Sequence, residues 1–225
     1  GVTYGSSSQF TFMPDFMQIG QDIDGEAADD YSGGSVSLSA DGSIMAIGAH
    51  NNDGNGSSAG HVRIYQNISG SWSQIGQDID GEAGGDVSGI SVSLSSDGQT
   101  VAIGAPENDG GNGNQSGHVR IYENIAGAWS QIGGDIDGEA ALDYFGGSVS
   151  LSSDGNTVAI GAPENDGNSL PYGTTGSLFR AGHVRIYQNI AGSWSQIGQD
   201  IDGEAAHDQS GRSVSLSSDG NTVAI

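Results

Sequence analysis

The chain has 225 residues, no cysteine and no lysine, and its 28 acids against 5 arginines give a formal net charge of −23. So acidic a surface excludes nucleic acids and anionic membranes as partners, since both need a basic face. No disulfide can form, and no run approaches the ~20 apolar residues of a membrane-spanning helix. Residues 1–8 read as a small polar linker. They lack the basic start and apolar stretch of a signal peptide. Residues 9–12 ("QFTF") and 16–23 ("FMQIGQDI") then resemble the last two segments of a unit that recurs along the chain.

That unit opens on "IGxDIDGEA", four copies of which begin at Ile19, Ile75, Ile132 and Ile197, with spacings of 56, 57 and 65 residues. Four segments follow one another in each full unit, over 35–79, 91–136 and 148–201. The first is "SVSLS", whose alternation of polar and apolar residues is the period of a strand. The second, "IMAIGA" or "VAIGA", is lined with Ala and Gly, so that neighbouring sheets can approach closely. The third is "HVRIY" and the fourth runs from Trp72, Trp129 or Trp194 through "SQIGxDI". An Asp-Gly pair (Asp41-Gly42, Asp97-Gly98, Asp154-Gly155, Asp219-Gly220) separates the first two segments and supplies a tight hairpin turn. No window shows sustained helical periodicity, and 40 glycines disfavour helix. The chain is therefore predicted to be all-β, a β-propeller of four-stranded antiparallel blades.

Residues 213–225 repeat segments one and two. With 9–23 supplying segments three and four, the chain holds three full blades plus two complementary half-blades. Such halves can combine into one closing blade, the equivalent of four blades. The other arrangement is an arc of a larger ring, completed by missing repeats or by another chain. The sequence ends on "NTVAI", inside a motif that elsewhere continues "VAIGAP", which favours a fragment of a longer protein.

These units resemble the FG-GAP repeat of integrin alpha-chain-like propellers, which also occurs in secreted bacterial and algal proteins. The closest stretch is "YFGGSVSLSSDGNTVAIGAPENDG" (144–167), with Phe145-Gly146 and Gly161-Ala162-Pro163. The FG position is Ser-Gly in the other units (Ser32, Ser88, Ser210), and the first unit has His50 in place of the GAP proline. The resemblance implies an extracellular or cell-surface propeller whose ligands bind on one loop face. It also implies calcium in an Asp-rich loop between strands one and two. Here that place holds a tight turn with one carboxylate, "SADGS" or "SSDGN", so the family's calcium loop does not carry over.

Two features point to one edge of the blades. The loops between segments two and three, 50–59, 106–116 and 163–181, have 10, 11 and 19 residues and hold all the variation in repeat length. "DIDGEA" lies at the same edge, in the crossing from one blade to the next. With one more acid it reads D-x-D-G-E-x3-D in each copy: Asp22, Asp24, Glu26, Asp30; Asp78, Asp80, Glu82, Asp86; Asp135, Asp137, Glu139, Asp143; Asp200, Asp202, Glu204, Asp208. Alternating oxygen ligands around a Gly bend are candidates for calcium, with Asn52, Asn108 and Asn165 beside them. The plainer reading makes these acids turn acceptors, with one of them paired to the repeated strand arginine (Arg63, Arg120, Arg185).

Repetition makes Trp72, Trp129 and Trp194 packing anchors before sugar platforms. The repeated His61, His118 and His183, spread around a ring, are expected to make strand-end hydrogen bonds rather than meet at one metal. The insert in 163–181 breaks the repetition, and Leu170, Tyr172, Leu178, Phe179 and Arg180 make it the candidate partner-binding loop, with self-packing as the rival role. No nucleophile–base set stands out, and acids repeated in every blade argue against catalysis. The expected function is non-catalytic adhesion or binding of a protein or glycan ligand. The rivals are a structural spacer in a surface protein or filament, and a lectin-like binder.

Overall fold

The computed structural model describes residues 17–167 and 179–225. The first blade consists of β1 (Ser35–Leu38), β2 (Ile44–Ala49), β3 (His61–Ile68) and β4 (Ser71–Gln74), paired antiparallel in that order. A short β5 (Ile79–Asp80) returns to β3 opposite His61 and Val62. The second blade repeats this with β6 (Ser91–Leu94), β7 (Thr100–Ala105), β8 (His118–Ile125), β9 (Ala128–Gln131) and β10 (Ile136–Asp137). In the third, β11 (Ser148–Leu151), β12 (Thr157–Ala162) and β13 (His183–Ile190) are followed by β14 (Ser193–Asp202), which runs unbroken past a register shift between Val184 and Ile186. The "ID" of "DIDGEA" is thus the end of strand four, and the crossing begins only at its glycine.

The Asp-Gly turns form as the sequence predicts. Asp41 Oδ1 accepts the Ser39 and Ser43 hydroxyls and the Ser43 N–H, at 2.7–2.9 Å. The same pattern holds Asp97, Asp154 and Asp219. One carboxylate locked this way, with no second acid beside it, does not make a calcium loop.

The core lies between blades. One apolar cluster joins Val62, Ile64 and Ile79 of the first blade to Leu94, Val101, Ile103 and Tyr122 of the second. Another joins Val119, Ile121, Ile136 and Phe145 to Leu151, Val158, Ile160 and Tyr187. Strand three is therefore buried on both faces: Val and Ile meet the following blade, while His, Arg and Tyr meet the preceding one. Each buried Ile or Val contributes about 1.5–3 kcal/mol. The serines of strand one also face a neighbour. Ser91 Oγ donates to the Gly146 carbonyl at 2.8 Å, and Ser93 Oγ accepts the Leu151 N–H at 2.9 Å. Gly104 sits where the backbones meet, and a Cβ there would collide with the Gly146 carbonyl.

Among the described residues the two ends do not combine. β15 (Ser215–Leu216) and β16 (Val223–Ala224) form a two-stranded sheet of their own. It docks on the third blade, with the Leu216 N–H donating to Ser150 Oγ at 2.9 Å. At the other end, residues 17–23 carry no strand and lie against the first blade, where Trp72 Nε1 donates to the Ile19 carbonyl at 3.0 Å. That bond repeats as Trp129 to Ile75 and Trp194 to Ile132. Residues 17–23 and the β15–β16 sheet are each held by their own neighbour, and among the described residues no hydrogen bond joins one end to the other. The ring is open there, and Val36 and Leu38 stay 61% and 57% exposed. The expected strand in 9–12 lies outside the described residues.

Candidate functional site

The 2–3 loops and the crossings share one edge and bind each other. The Val87 and Ser88 N–H groups donate to the Ser58 and Ala59 carbonyls, and Asn55 Nδ2 donates to the Gly81 carbonyl at 2.8 Å. Within the crossing, the last acid of each copy is a turn acceptor. Asp30, Asp86, Asp143 and Asp208 each accept the N–H of the alanine three residues before them, at 2.8–3.1 Å. Asn52 and Asn165 donate to Asp30 and Asp143, while their own oxygens cap Gly54 and Gly167. Burial raises the pKa of the Asp143 carboxyl against these hydrogen bonds. Burial and then Asp135 raise that of Asp137.

The first acid of each copy accepts a glutamine amide: Gln18 to Asp22, Gln74 to Asp78, Gln131 to Asp135 and Gln196 to Asp200, at 2.6–2.9 Å. The glutamates reach the next blade's arginine, Glu26 to Arg63 at 3.9 Å and Glu82 to Arg120 at 3.7 Å. Among the described residues, no three acids of one copy come together. The side-chain oxygens of one "DIDGEA" copy are thus spread over separate partners.

What it assembles instead spans the blade junction. Glu26 of one crossing meets His61 and Asp78 of the next blade, and Glu82, His118 and Asp135 meet in the same way. Glu139, His183 and Asp200 are the third set; the ligand atoms of each lie within 4.8 Å of one another. All three histidines are 1% exposed. Burial, and then Arg120, hold His118 down to about 4, and burial lowers His183. Burial, opposed by Arg120, raises Glu82. The expected strand-end hydrogen bonds are not made: Nε2 of each imidazole is buried without a partner. "HVRIY" in every blade was the visible signal, but which acids the histidine faces depends on how blades stack. Glu204 joins no such group among the described residues.

A second feature on this edge is a cleft of about 340 Å³ between the second and third blades. Pro106, Tyr144, Pro163, Glu164, Arg180 and Arg212 line it, all from 2–3 loops and crossings. Arg180 Nε pairs with Glu164 at 2.6 Å and its guanidinium lies 5.4 Å from the Phe179 ring centre. Phe179 in turn meets His207 edge-on at 5.5 Å. Gln209 accepts from Arg212 and donates to Glu164. Asp166 accepts the Arg180 N–H at 2.9 Å. Leu170, Tyr172 and Leu178 lie outside the described residues.

Blades joined through repeated side chains, with loops of unequal length on one edge, define a β-propeller built from sequence repeats. The model of the FG-GAP repeat matches residues 136–178, as the residues around Phe145 imply. No curated protein sequence matches the chain. Among solved structures it is similar to a protein described as a candidate 6-phosphogluconolactonase from Bacteroides uniformis, at 13% identity and a TM-score of 0.53 over 84% of this chain and 45% of that one. It is also similar to hydrazine synthase of Kuenenia stuttgartiensis, at 13% identity and a TM-score of 0.49 over 90% of this chain and 44% of that one. The chain thus spans less than half the length of either, and the first likeness is one of fold.

Proposed function

We propose that this chain is a non-catalytic ligand-binding module of an extracellular or cell-surface protein, and that the cleft between the second and third blades receives its ligand. One observation carries this reading. Of the five arginines, Arg63, Arg120 and Arg185 repeat and are used inside the blade junctions, while the two unrepeated ones, Arg180 and Arg212, both line the cleft. In a chain of net charge −23 they bring two positive charges against the one carboxylate of Glu164, with apolar walls from Pro106, Pro163 and Tyr144. Such a site suits an acidic side chain of a protein partner, as in adhesion.

The test compares wild type with R180A/R212A and with a chain lacking 168–178, each passed over acidic and neutral peptide arrays and a glycan array. Retention of an acidic peptide that both changes abolish supports the cleft. Retention unaffected by either, or none at all, removes the reading in favour of a spacer. Several equivalent glycan sites per chain point to the lectin-like rival.

A further inference from the structure

At the blade junctions, each carboxylate has one oxygen committed outward and the other turned toward the imidazole. Asp78 Oδ1 accepts Gln74 at 2.6 Å, while its Oδ2 lies 3.7 Å from His61 Nδ1. Glu26 Oε1 faces Arg63, while Oε2 lies 3.8 Å from the same Nδ1. The second junction repeats this for Glu82, whose Oε1 faces Arg120 and whose Oε2 is 3.9 Å from His118 Nδ1, while Gln131 holds Asp135 Oδ1 at 2.7 Å and the three ligand atoms lie within 4.8 Å of one another. These separations exceed hydrogen-bond reach. The imidazole is 1% exposed and hydrogen-bonds neither carboxylate, so Nδ1, aimed between them, has room for a group that it could bind, while Nε2 stays buried without a partner. This is independent of the acids themselves, which elsewhere in the crossing are satisfied.

We propose that the first two junctions, Glu26–His61–Asp78 and Glu82–His118–Asp135, are sites for a divalent first-row transition ion of the zinc type. Donors at ~2.0–2.2 Å around a tetrahedral ion sit roughly 3.3–3.5 Å apart. The His61–Glu26, His61–Asp78 and His118–Glu82 gaps of 3.7–3.9 Å close to that with movements of a few tenths of an ångström, and the remaining donor pairs lie within 4.8 Å. One imidazole and two carboxylates suit zinc, cobalt or manganese, whereas calcium takes six to eight oxygens. The glutamine and arginine contacts orient the carboxylates as outer partners of a metal site do.

The third junction is an internal control. There Arg185 bonds both oxygens of Asp200, at 3.0 and 3.1 Å, and also contacts Glu139. The chain's own cation occupies the carboxylates, and no free pair of oxygens remains for an ion. The expected stoichiometry is therefore two per chain. None of these residues lines the cleft, so the inference can fail or stand apart from the ligand reading.

The test is calorimetric titration of EDTA-stripped protein with zinc chloride, repeated with cobalt chloride while the visible spectrum is followed. Wild type should take up two ions tightly, D135N one, and D78N/D135N neither, with affinity at an altered site falling by at least about 100-fold. D200N should still bind two. Asparagine keeps an oxygen for the glutamine amide, and far-UV circular dichroism checks that each variant is folded. Absence of tight zinc uptake overturns the proposal. Uptake unchanged in D78N/D135N, or displacement of zinc by millimolar calcium, overturns it equally.

Discussion

Arg120 donates from Nη2 to the carbonyl oxygen of Asp80 at 2.6 Å, tying the third strand of one blade to the corner that leaves the blade before it. The same bond joins Arg63 to the Asp24 carbonyl at 2.7 Å. Arg120 is 6% exposed, and its guanidinium lies 5.6 Å from the Tyr122 ring centre. R120M keeps most of the side-chain volume but leaves the carbonyl without a donor. The expected loss is about 1.5–3 kcal/mol of stability, measured by urea denaturation. R120K should recover only part of it, since lysine lacks the planar fork.

Trp129 tests the same junction through one hydrogen bond. W129F keeps the aromatic packing and removes the donor to the Ile75 carbonyl. A loss of about 0.5–1.5 kcal/mol is expected. No sugar-binding phenotype should accompany it, because the ring is a fastening between blades.

Gly104 tests how closely the sheets approach. G104A places a methyl group against the Gly146 carbonyl, with no positive φ to confuse the result. Overpacking of this kind costs about 1–3 kcal/mol. G111A, which meets nothing within 4 Å, is the control and should stay within about 0.5 kcal/mol of wild type in thermal melts.

Asp41 gives a pH dependence. Hydrogen bonds from the Ser43 N–H, the Ser43 hydroxyl and the Ser39 hydroxyl hold its carboxyl down to about 2, against an ordinary 3.8. The folded chain therefore binds this proton more weakly than the unfolded chain. The stabilisation is complete above the unfolded value and is lost as pH falls through about 2. The melting temperature of wild type should fall relative to that of D41N over this acid window, and their difference should be constant above it.

Metal enters through mass action. Zinc should raise the melting temperature of the EDTA-stripped chain, each filled site adding about 2.7 kcal/mol at a zinc concentration 100-fold above its Kd. Millimolar calcium should leave the melting temperature unchanged. A calcium-dependent rise abolished by D78N/D135N would assign the junctions to calcium instead.

Much of this was legible in order along the chain. "SVSLS", "VAIGA" and "HVRIY" are strands because of their alternation and small residues, and Asp41-Gly42 and its copies are turns because Asp and Gly suit that backbone. The role of Asp30, Asp86 and Asp143 was legible as well, since an acid three residues after the turn N–H it accepts is a local arrangement. Less legible was strand one, where the polar positions Ser91 and Ser93 bond the next blade. The reach of strand four was legible to within one residue, since "SQIGxDI" ends at Ile79, Ile136 or Ile201 and the pairing ends at the aspartate that follows.

The sequence by itself determined that the chain is a stack of near-identical blades, because periodicity and turn chemistry act within a few residues. It could not determine which acid meets which histidine. That depends on the stacking of one blade on the next, which brings Glu82 of one crossing to His118 and Asp135 of the following blade. The tertiary structure also decided the fate of the arginines. Arg120 is drawn into a junction because its neighbours on both faces are buried, whereas Arg180 and Arg212 come together only because two distant loop segments share one edge. Both outcomes rest on contacts between residues far apart in the chain, to which local patterns are blind.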